Sequence, residues 1–251
     1  MINFIDPEAR LGNGITVGHF SVVGKNAQIG DNVIIGNNVT IWDGSVIGAN
    51  VQIGDGSVIG KQPKPSKTST VKYDNALPPL VVGANTTIGA NAVLYASATI
   101  GENALIADLA SVRENCKIGN YVVVGRGVAV ENKTTIGDYT KIQTGAYITA
   151  YMDIADHVFV APMVTFTNDN FMGRTEERFK HIRGATVKRG ARVGGGAVIL
   201  PGVEIGEETF VAAGALVTKN TAAGKVVKGM PAKEFKDVPA RELLPREEDK
   251  K

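Results

Sequence analysis

The fold is decided by residues 11–47, which read LGNGITVGHFSVVGKNAQIGDNVIIGNNVTIWDGSVI. An aliphatic side chain returns at every sixth position of this stretch, as Leu11, Val17, Val23, Ile29, Ile35, Ile41 and Ile47. A small or β-branched residue recurs two places before the aliphatic, as Ser21, Ala27, Val33, Val39 and Ser45. On an α-helix a period of six would place successive members about 600° apart, so they would share no face. The pattern therefore predicts β-structure built from six-residue units, here called hexads, each with two inward positions.

The hexads continue through most of the chain in three uninterrupted runs. The runs extend from Leu11 to Ile59, from Val82 to Phe166 and from Val187 to Val217, and together they contain thirty hexads. Three hexads make one triangular coil, so the sequence predicts an all-β fold in which about ten coils stack into a parallel β-helix. In such a stack, residues eighteen positions apart lie one above the other.

The repeat divides the chain into two parts. We expect a β-helix domain over residues 1–223 and a charged part over residues 224–251, with a turn, a short helix and a frayed tail. A glycine often follows the inward aliphatic, as at Gly12, Gly18 and Gly24, and we expect it to occupy a tight corner at positive φ.

Two loops interrupt the hexads, at residues 61–81 and 167–186. Loops on a rigid scaffold are where binding residues concentrate. The first loop carries Lys61, Lys64, Lys67 and Lys72, which predict either a solvated excursion or an approach to a phosphorylated substrate. The second loop begins with the polar residues Asn168, Asp169 and Asn170, which make it the better candidate for an active site.

Composition excludes several classes of protein. The net charge of +2 over 251 residues provides no field that would draw the chain to nucleic acid or to a membrane. Cys116 is the single cysteine and cannot form an internal disulfide, which favours a reducing compartment. No apolar run approaches the ~20 residues of a membrane span, and the N-terminus has no signal-peptide pattern. We therefore expect a soluble, cytoplasmic protein.

Three further stretches carry a specific resemblance. They are TNDNFMGRTEERFK at 167–180, VKRGARVGGGAVILPGVEIG at 187–206 and KGMPAK at 228–233. With these strings the chain resembles the hexapeptide-repeat acyltransferases, from Leu11 to Lys233. GRGVAVEN at 125–132 and YITAY at 147–151 are similar to the subgroup that acylates the amino group of nucleotide-linked amino-deoxysugars.

The resemblance implies a left-handed coil and a homotrimer whose active sites lie between neighbouring chains. It implies acetyl-CoA or a longer acyl-CoA as co-substrate, with no permanently bound cofactor. The implied acceptor is the 3- or 4-amino group of a dTDP-linked amino-dideoxysugar, less readily of a UDP-linked one. This amino group attacks the thioester directly.

A candidate donor site follows from the last hexads. Gly195 and Ala213 are eighteen residues apart and predict a smooth corner along which a pantetheine arm can lie. The alternative is that small residues merely suit tight corners. Nearby cations favour binding of the coenzyme A phosphates, and they are Lys188, Arg189, Arg192, Lys219 and Lys228.

Candidate acceptor residues lie about two coils before the second loop. Glu131 and Asn132 fall at a corner, and Asn132 precedes Asn168 by two coils, so both are expected at the same edge. We predict that they bind the sugar nucleotide together with Asn170. Arg126 lies at a different edge and can reach a diphosphate only in a neighbouring chain. The alternative for Asn132 is an asparagine ladder that stabilises corners.

Asn168 and Asp169 are the predicted catalytic residues. The acceptor amine is protonated in water and must lose a proton before or during attack, so a carboxylate at Asp169 can pair with the ammonium and take up or relay its proton. Asn168 can bond the sugar or the developing oxyanion. His157 is a competing base, and the departing thiolate is a third possible proton acceptor.

The three histidines, His19, His157 and His181, have spacings unsuited to zinc, so we expect no metal and exclude a γ-type carbonic anhydrase. An ice-binding solenoid is the alternative without enzyme activity. It would show regular threonine ladders on a flat face and would not need the two loops. A sugar O-acetyltransferase is the alternative enzyme. Attack by a hydroxyl needs a strong base, and the related O-acetyltransferases use a histidine in the equivalent loop. This chain has Asn-Asp-Asn at 168–170 instead, which favours an amine acceptor.

Overall fold

The computed structural model describes residues 3–69, 71–73 and 75–245, and these residues form an almost purely β structure. Two short 3₁₀ turns, Glu176–Lys180 and Ala240–Glu242, are its helical segments. Among the described residues, no helix has the length and apolar character that a membrane span requires.

The strands in chain order are β1 (Phe4–Ile5), β2 (Arg10–Leu11), β3 (Thr16–Val17), β4 (Val22–Val23), β5 (Gln28–Ile29), β6 (Ile34–Ile35), β7 (Thr40–Ile41), β8 (Val46–Ile47), β9 (Gln52–Ile53), β10 (Val58–Lys61), β11 (Val81–Val82), β12 (Thr87–Ile88), β13 (Val93–Tyr95), β14 (Thr99–Ile100), β15 (Leu105–Ile106), β16 (Ser111–Val112), β17 (Lys117–Ile118), β18 (Val123–Val124), β19 (Ala129–Val130), β20 (Thr135–Ile136), β21 (Lys141–Ile142), β22 (Tyr147–Ile148), β23 (Asp153–Ile154), β24 (Phe159–Val160), β25 (Thr165–Phe166), β26 (Thr186–Val187), β27 (Arg192–Val193), β28 (Val198–Ile199), β29 (Glu204–Ile205), β30 (Phe210–Val211), β31 (Leu216–Val217), β32 (Lys225–Lys228) and β33 (Lys233–Asp237).

Every third strand joins the same sheet, which gives three sheets around a triangular core. Sheet A runs from β1 to β31, sheet B from β2 to β29 and sheet C from β3 to β33, with 11, 10 and 12 strands. Neighbouring strands pair in parallel at a spacing of one coil, as Val22 pairs with Thr40 and Val23 with Ile41. The predicted left-handed parallel β-helix is confirmed. It has somewhat more than ten coils, because β1 and β32 extend the stack at its two ends.

The inward positions form one continuous apolar core. From Val23 onward, every aliphatic of the three runs is at most 4% exposed, and the small residues two places earlier, such as Ala27 and Val33, are buried as well. Leu11 is an exception at 44% exposure, because β2 is the first strand of sheet B and no coil lies beneath it.

The glycines that follow the inward aliphatic serve a different purpose from the one expected. A Cβ added at Gly18 would lie 2.5 Å from the backbone of Gly36 in the next coil, and one at Gly30 would lie 2.6 Å from the amide nitrogen of Ala49. Neither glycine has positive φ. The expectation of positive φ is therefore wrong for these positions, and the close approach of successive coils is what requires glycine there.

Positive φ occurs two residues further along, often at asparagine, which tolerates the left-handed region better than most residues. Asn32 and Asn50 have φ values of 57° and 58°. Their side chains form a ladder, in which Asn32 Nδ2 donates to Asn50 Oδ1 at 3.2 Å and Asn50 Nδ2 donates to Asn85 Oδ1 at 3.0 Å. The ladder stabilises one corner of the first coils.

Three corners connect the sheets, and we name each by the strands that it joins: A–B, B–C and C–A. Loop 1 (residues 62–80) connects β10 to β11, and loop 2 (residues 167–185) connects β25 to β26, so both loops leave corner A–B. Four strands of sheet A, namely β13, β16, β19 and β22, lie between the loops. At ~4.8 Å per coil, the loops border roughly 24 Å of this corner.

The C-terminal part contains less helix and more strand than expected. Strand β32 pairs in parallel with β30, and β33 returns antiparallel to β32 across a turn at residues 229–232. The predicted short helix is the single 3₁₀ turn Ala240–Glu242, and residues 246–251 of the predicted tail lie outside the described residues. Hydrogen bonding of β32 to sheet C makes the start of this part continuous with the β-helix.

Gly194→Ala should lower the free energy of unfolding by about 1–3 kcal/mol, as expected for overpacking. The added Cβ would lie 2.5 Å from the amide nitrogen of Ala213 in the next coil. Gly195→Ala is the matched control, because the nearest atom to its Cβ is the carbonyl oxygen of Pro162 at 3.4 Å. Scanning calorimetry measures the difference. Equal melting temperatures for the two variants would contradict the close-approach explanation.

Candidate active site

A cleft of about 510 Å³ opens at corner A–B between the two loops. Loop 1 contributes Ser69 and Val71, loop 2 contributes side chains between residues 168 and 182, and the coils between the loops form the floor. The floor includes Arg113 and Glu131, which are stacked on successive strands of sheet A. One chain thus forms a polar cleft at this corner from its own residues.

Asn132 and Asn168 both line this cleft, as their two-coil spacing predicts. Asn132 is only 5% exposed, and its Nδ2 is buried without a hydrogen-bond partner among the described residues. Its side chain therefore lacks the ladder bonds seen at Asn32 and Asn50. A buried donor without a partner costs about 1–3 kcal/mol, so a ligand acceptor at this point would be stabilised.

Glu131 lies beside Asn132 and faces Arg113, with 3.5 Å between Oε2 and the arginine Nη1. Burial raises the pKa of Glu131, an effect that Arg113 partly offsets and Glu114 reinforces. A carboxylate with a raised pKa is a stronger base than an ordinary one. Glu131 is therefore suited to proton transfer.

Asp169 has its carboxylate fully engaged within loop 2. Its Oδ1 accepts a hydrogen bond from the Phe171 amide at 2.8 Å, and its Oδ2 accepts from the Gly173 amide at 3.0 Å and from Arg178 Nη1 at 2.8 Å. The Arg178 hydrogen bond, together with the two backbone bonds, holds the pKa of Asp169 below its ordinary value. These contacts fix the shape of loop 2 and make Asp169 a weak proton acceptor.

An ion pair that the sequence analysis did not identify lies under one end of the cleft. Arg113 donates from Nε and Nη2 to the two carboxylate oxygens of Glu114, at 2.8 and 2.9 Å. Glu114 is 0% exposed and also accepts a hydrogen bond from the Tyr73 hydroxyl of loop 1 at 2.8 Å. Burial would raise the pKa of Glu114, but the bonds from Arg113, the backbone and Tyr73 outweigh it and lower the pKa. One indication in the sequence that Glu114 lies at this corner is that it precedes Asn132 by eighteen residues, or one coil.

Three predicted residues lie away from the cleft lining. Arg126 lies at corner C–A, between β18 and β19, and Asn170 is exposed in loop 2. His157 lies at corner B–C, where its Nδ1 is 2.7 Å from an oxygen of Asp156. The structure therefore groups Glu131, Asn132 and Asn168 with Asp169, but not with these three.

The predicted donor residues are spread around the β-helix, at corners B–C and C–A, on sheet C and, for Lys219, after the last strand of sheet A. Gly195 and Ala213 stack at corner C–A, where Gly214 N donates to Gly195 O at 2.9 Å. Added Cβ atoms at Gly196 and Gly214 would meet nothing within 4 Å, so this corner is open. It provides a smooth surface with exposed backbone.

Three of the five predicted cations have carboxylate partners within the chain. Lys188 lies 3.3 Å from Glu204, Arg189 lies 2.9 Å from Asp156, and Arg192 lies 3.2 Å from Glu242. Lys188 and Arg189 belong to corner B–C rather than to the open corner. Lys219 is exposed after β31, and Lys228 lies 3.3 Å from the ring centre of Phe235. The sequence did not reveal these pairings, because the partners are distant in the chain.

The hexad pattern matches the family described as bacterial transferase hexapeptide (six repeats), at residues 8–41, 33–62, 79–114, 97–132, 115–150 and 184–219. The chain belongs to this family. These matches cover well over half of the sequence and follow the three runs of hexads.

Individual relatives match shorter parts of this hexapeptide transferase. It is 33% identical over 88 residues to the serine acetyltransferase of Buchnera aphidicola subsp. Acyrthosiphon pisum (strain APS), which is 33% of this chain and 32% of the relative. It is 54% identical over 44 residues to the 2,3,4,5-tetrahydropyridine-2,6-dicarboxylate N-acetyltransferase of Staphylococcus aureus (strain JH9), 18% of each chain. The matched part is thus a third or less of these curated relatives.

The whole fold is similar to a solved structure, the UDP-N-acetylglucosamine acyltransferase of Francisella novicida. The similarity covers 99% of this hexapeptide transferase and 74% of the other chain, with a TM-score of 0.53 and 21% identity. At this level of identity, the similarity establishes that the two proteins share the β-helix fold.

Proposed function

We propose that this hexapeptide transferase moves an acyl group from acyl-CoA to the amino group of a nucleotide-linked sugar. The observation that carries the proposal is the lining of the cleft at corner A–B. Among the described residues it includes the carboxylates Glu131 and Asp169 but no histidine. Acidic side chains attract an ammonium group, whereas a hydroxyl acceptor would need a stronger base than the cleft supplies.

The sequence similarities to subgroup members support a dTDP-linked amino-dideoxysugar that is acylated at its 3- or 4-amino group. The strings GRGVAVEN and TNDNFMGRT, which carry that resemblance, contribute Glu131, Asn132, Asn168 and Asp169 to the cleft. The donor is acetyl-CoA or a longer acyl-CoA. We assign its pantetheine arm to the open corner at Gly195 and Ala213, and its phosphates to Lys219 and Lys228.

The chemistry is direct aminolysis of the thioester. The amine nitrogen attacks the carbonyl carbon, the C–N bond forms, and the C–S bond then breaks to release the coenzyme A thiolate. The nitrogen loses two protons on the way to the amide: the second leaves the adduct and protonates the departing thiolate, and the first leaves the ammonium group before or during attack. Glu131 is the better acceptor for that proton, since its pKa is raised, while Asp169 keeps loop 2 in position around the ammonium. Asn132 Nδ2 and Asn168 bond the sugar or the developing oxyanion.

A homotrimer is part of the proposal. The acceptor cleft lies at corner A–B, whereas the open donor corner and Arg126 lie at corner C–A, so one chain keeps the two substrates apart. A closed three-fold ring sets one corner of each chain against a different corner of the next. The donor groove and Arg126 of one chain would then face the acceptor cleft of its neighbour.

Incubation with dTDP- and UDP-linked amino sugars and several acyl-CoAs, followed by mass spectrometry, tests the proposed reaction. We expect one acyl group to be added to an amino sugar, and no addition to the matched sugars that carry a hydroxyl in place of the amine. Acylation of the hydroxyl sugars alone would contradict the proposal and indicate a sugar O-acetyltransferase.

Glu131→Gln should reduce kcat about a hundredfold or more near pH 7, which is the usual contribution of a general base. Activity should partly recover at higher pH, where the free amine is abundant. The charged and titratable groups around Glu131 are Arg113, Glu114 and Tyr147, and all three are kept in this variant.

Asp169→Asn is the comparison, because it alters the other carboxylate of the cleft. We expect a lower kcat/KM for the sugar with an unchanged shape of the pH profile. If Asp169→Asn instead shows the alkaline recovery and Glu131→Gln does not, Asp169 is the base. If neither shows it, the departing thiolate accepts the proton.

Light scattering should give a mass near three times the 26.4 kDa of one chain. A strict monomer at micromolar concentration would contradict the assembly, because donor and acceptor groups would then remain on different corners.

A further inference from the structure

A second cavity, of about 430 Å³, lies at corner A–B on the other side of loop 1. It shares Ser69, Val71 and Arg113 with the first cleft, so the two form one groove that passes beneath the loop. Lys61 and Lys64 line the second cavity, together with the aromatic rings of Tyr73 and Tyr95. The reaction proposed above assigns no role to this half of the groove.

The two halves of the groove differ in their balance of charge. The described residues that line the second cavity include the cations Lys61, Lys64 and Arg113 and no carboxylate. The first cleft is lined by the carboxylates Glu131 and Asp169 and by the arginines that pair with them, Arg113 and Arg178. The second cavity therefore has an excess of positive charge that attracts an anion, whereas the first cleft is balanced and offers carboxylate oxygens to an ammonium group.

Arg113 is held rigidly where the two halves meet. Its Nε and Nη2 are bound to Glu114, and its guanidinium lies 4.9 Å from the ring centre of Tyr95. Lys61 Nζ lies 5.4 Å from the centre of the same ring. Nη1 makes a longer contact with Glu131, at 3.5 Å, and its second hydrogen and that of Nη2 are not bound to Glu114. A guanidinium fixed in this way is well suited to phosphate oxygens.

Loop 1 is itself anchored over the cavity. The Tyr73 hydroxyl donates to the buried Glu114, and Gln62 exchanges hydrogen bonds with the backbone of Leu77 at 2.8 and 2.9 Å. Lys64 is thus carried on a loop with two attachment points. Lys67 and Lys72 belong to the same loop and are exposed, but they do not line the cavity.

We propose that the second cavity binds the diphosphate of the acceptor, so that the nucleotide sugar lies lengthwise along corner A–B within one chain. This inference rests on the proposed function. The diphosphate contacts Lys61, Lys64 and Arg113 under loop 1, and the amino sugar extends past Arg113 to Glu131 and Asn132. The orientation follows from the charges, because the reverse one would set the diphosphate against two carboxylates.

The dimensions agree with this orientation. Tyr95, Arg113 and Glu131 follow one another on successive strands of sheet A, so the cationic cavity and the Glu131 carboxylate are about one to two coils, or roughly 5–10 Å, apart. A single pyranose ring, with phosphate at one side and an amine at the opposite side, spans this separation. Coenzyme A also contains a diphosphate, but its pantetheine arm has no amine and would bring no ammonium group to Glu131.

Calorimetric titration of the intact protein with dTDP, and separately with coenzyme A, tests the site without requiring acyl transfer. Lys61→Met and Lys64→Ala should each weaken dTDP binding by about ten- to a hundredfold, as expected for loss of one charge-assisted contact. Coenzyme A binding should be unchanged. Lys67→Ala and Lys72→Ala are matched controls, since they remove the same charge from the same loop, and both should bind dTDP like the unmodified protein.

Equal weakening in all four variants would overturn the proposal, because it would indicate diffuse attraction by the loop. Unchanged dTDP binding in Lys61→Met and Lys64→Ala would overturn it as well, and loss of coenzyme A binding alone would assign the cavity to the donor. Failure of the proposed function is distinguishable: the protein would then bind dTDP through Lys61 and Lys64 yet acylate no amino sugar.

Discussion

Backbone hydrogen bonding between successive coils is the constraint on which the rest of the structure depends. Gly18 N donates to Ile35 O at 2.7 Å, and Gly36 N donates to Ile53 O at 2.8 Å, and the same bond recurs coil after coil. It fixes the vertical spacing at ~4.8 Å and leaves no space for a Cβ at glycines such as Gly18. It also aligns residues eighteen apart into columns. A column at a corner is therefore a rigid support on which side chains from distant parts of the chain meet.

Whatever follows from this period could be predicted from the sequence. The inward aliphatics, the two loops and the shared corner of Asn132 and Asn168 all depend only on counting residues in sixes. The six-residue period does not predict the contacts of segments that lie outside the repeat. Tyr73 reaches Glu114 from a loop that has no repeat, and Glu242 reaches Arg192 from beyond the last coil. Contacts of this kind depend on loop conformation, which local sequence does not specify.

The two carboxylates of the cleft illustrate how environment assigns roles that residue type cannot. By sequence, Asp169 is the more prominent, because it opens loop 2 beside two asparagines. In the structure, three hydrogen-bond donors stabilise its charged form, whereas Glu131 loses solvent and contacts a single cation, Arg113, at 3.5 Å. The pKa values of the two groups consequently move in opposite directions. In the proposed reaction Glu131 accepts the proton of the ammonium group, while Asp169 keeps loop 2 in position.

The most direct test of the account is a crystal structure of the protein with a dTDP-linked amino sugar. The account predicts the amino group within hydrogen-bond distance, about 3 Å, of the Glu131 carboxylate, and the diphosphate on Arg113 beneath loop 1. A nucleotide bound at corner C–A beside Gly195, with the cleft between the loops empty, would contradict it.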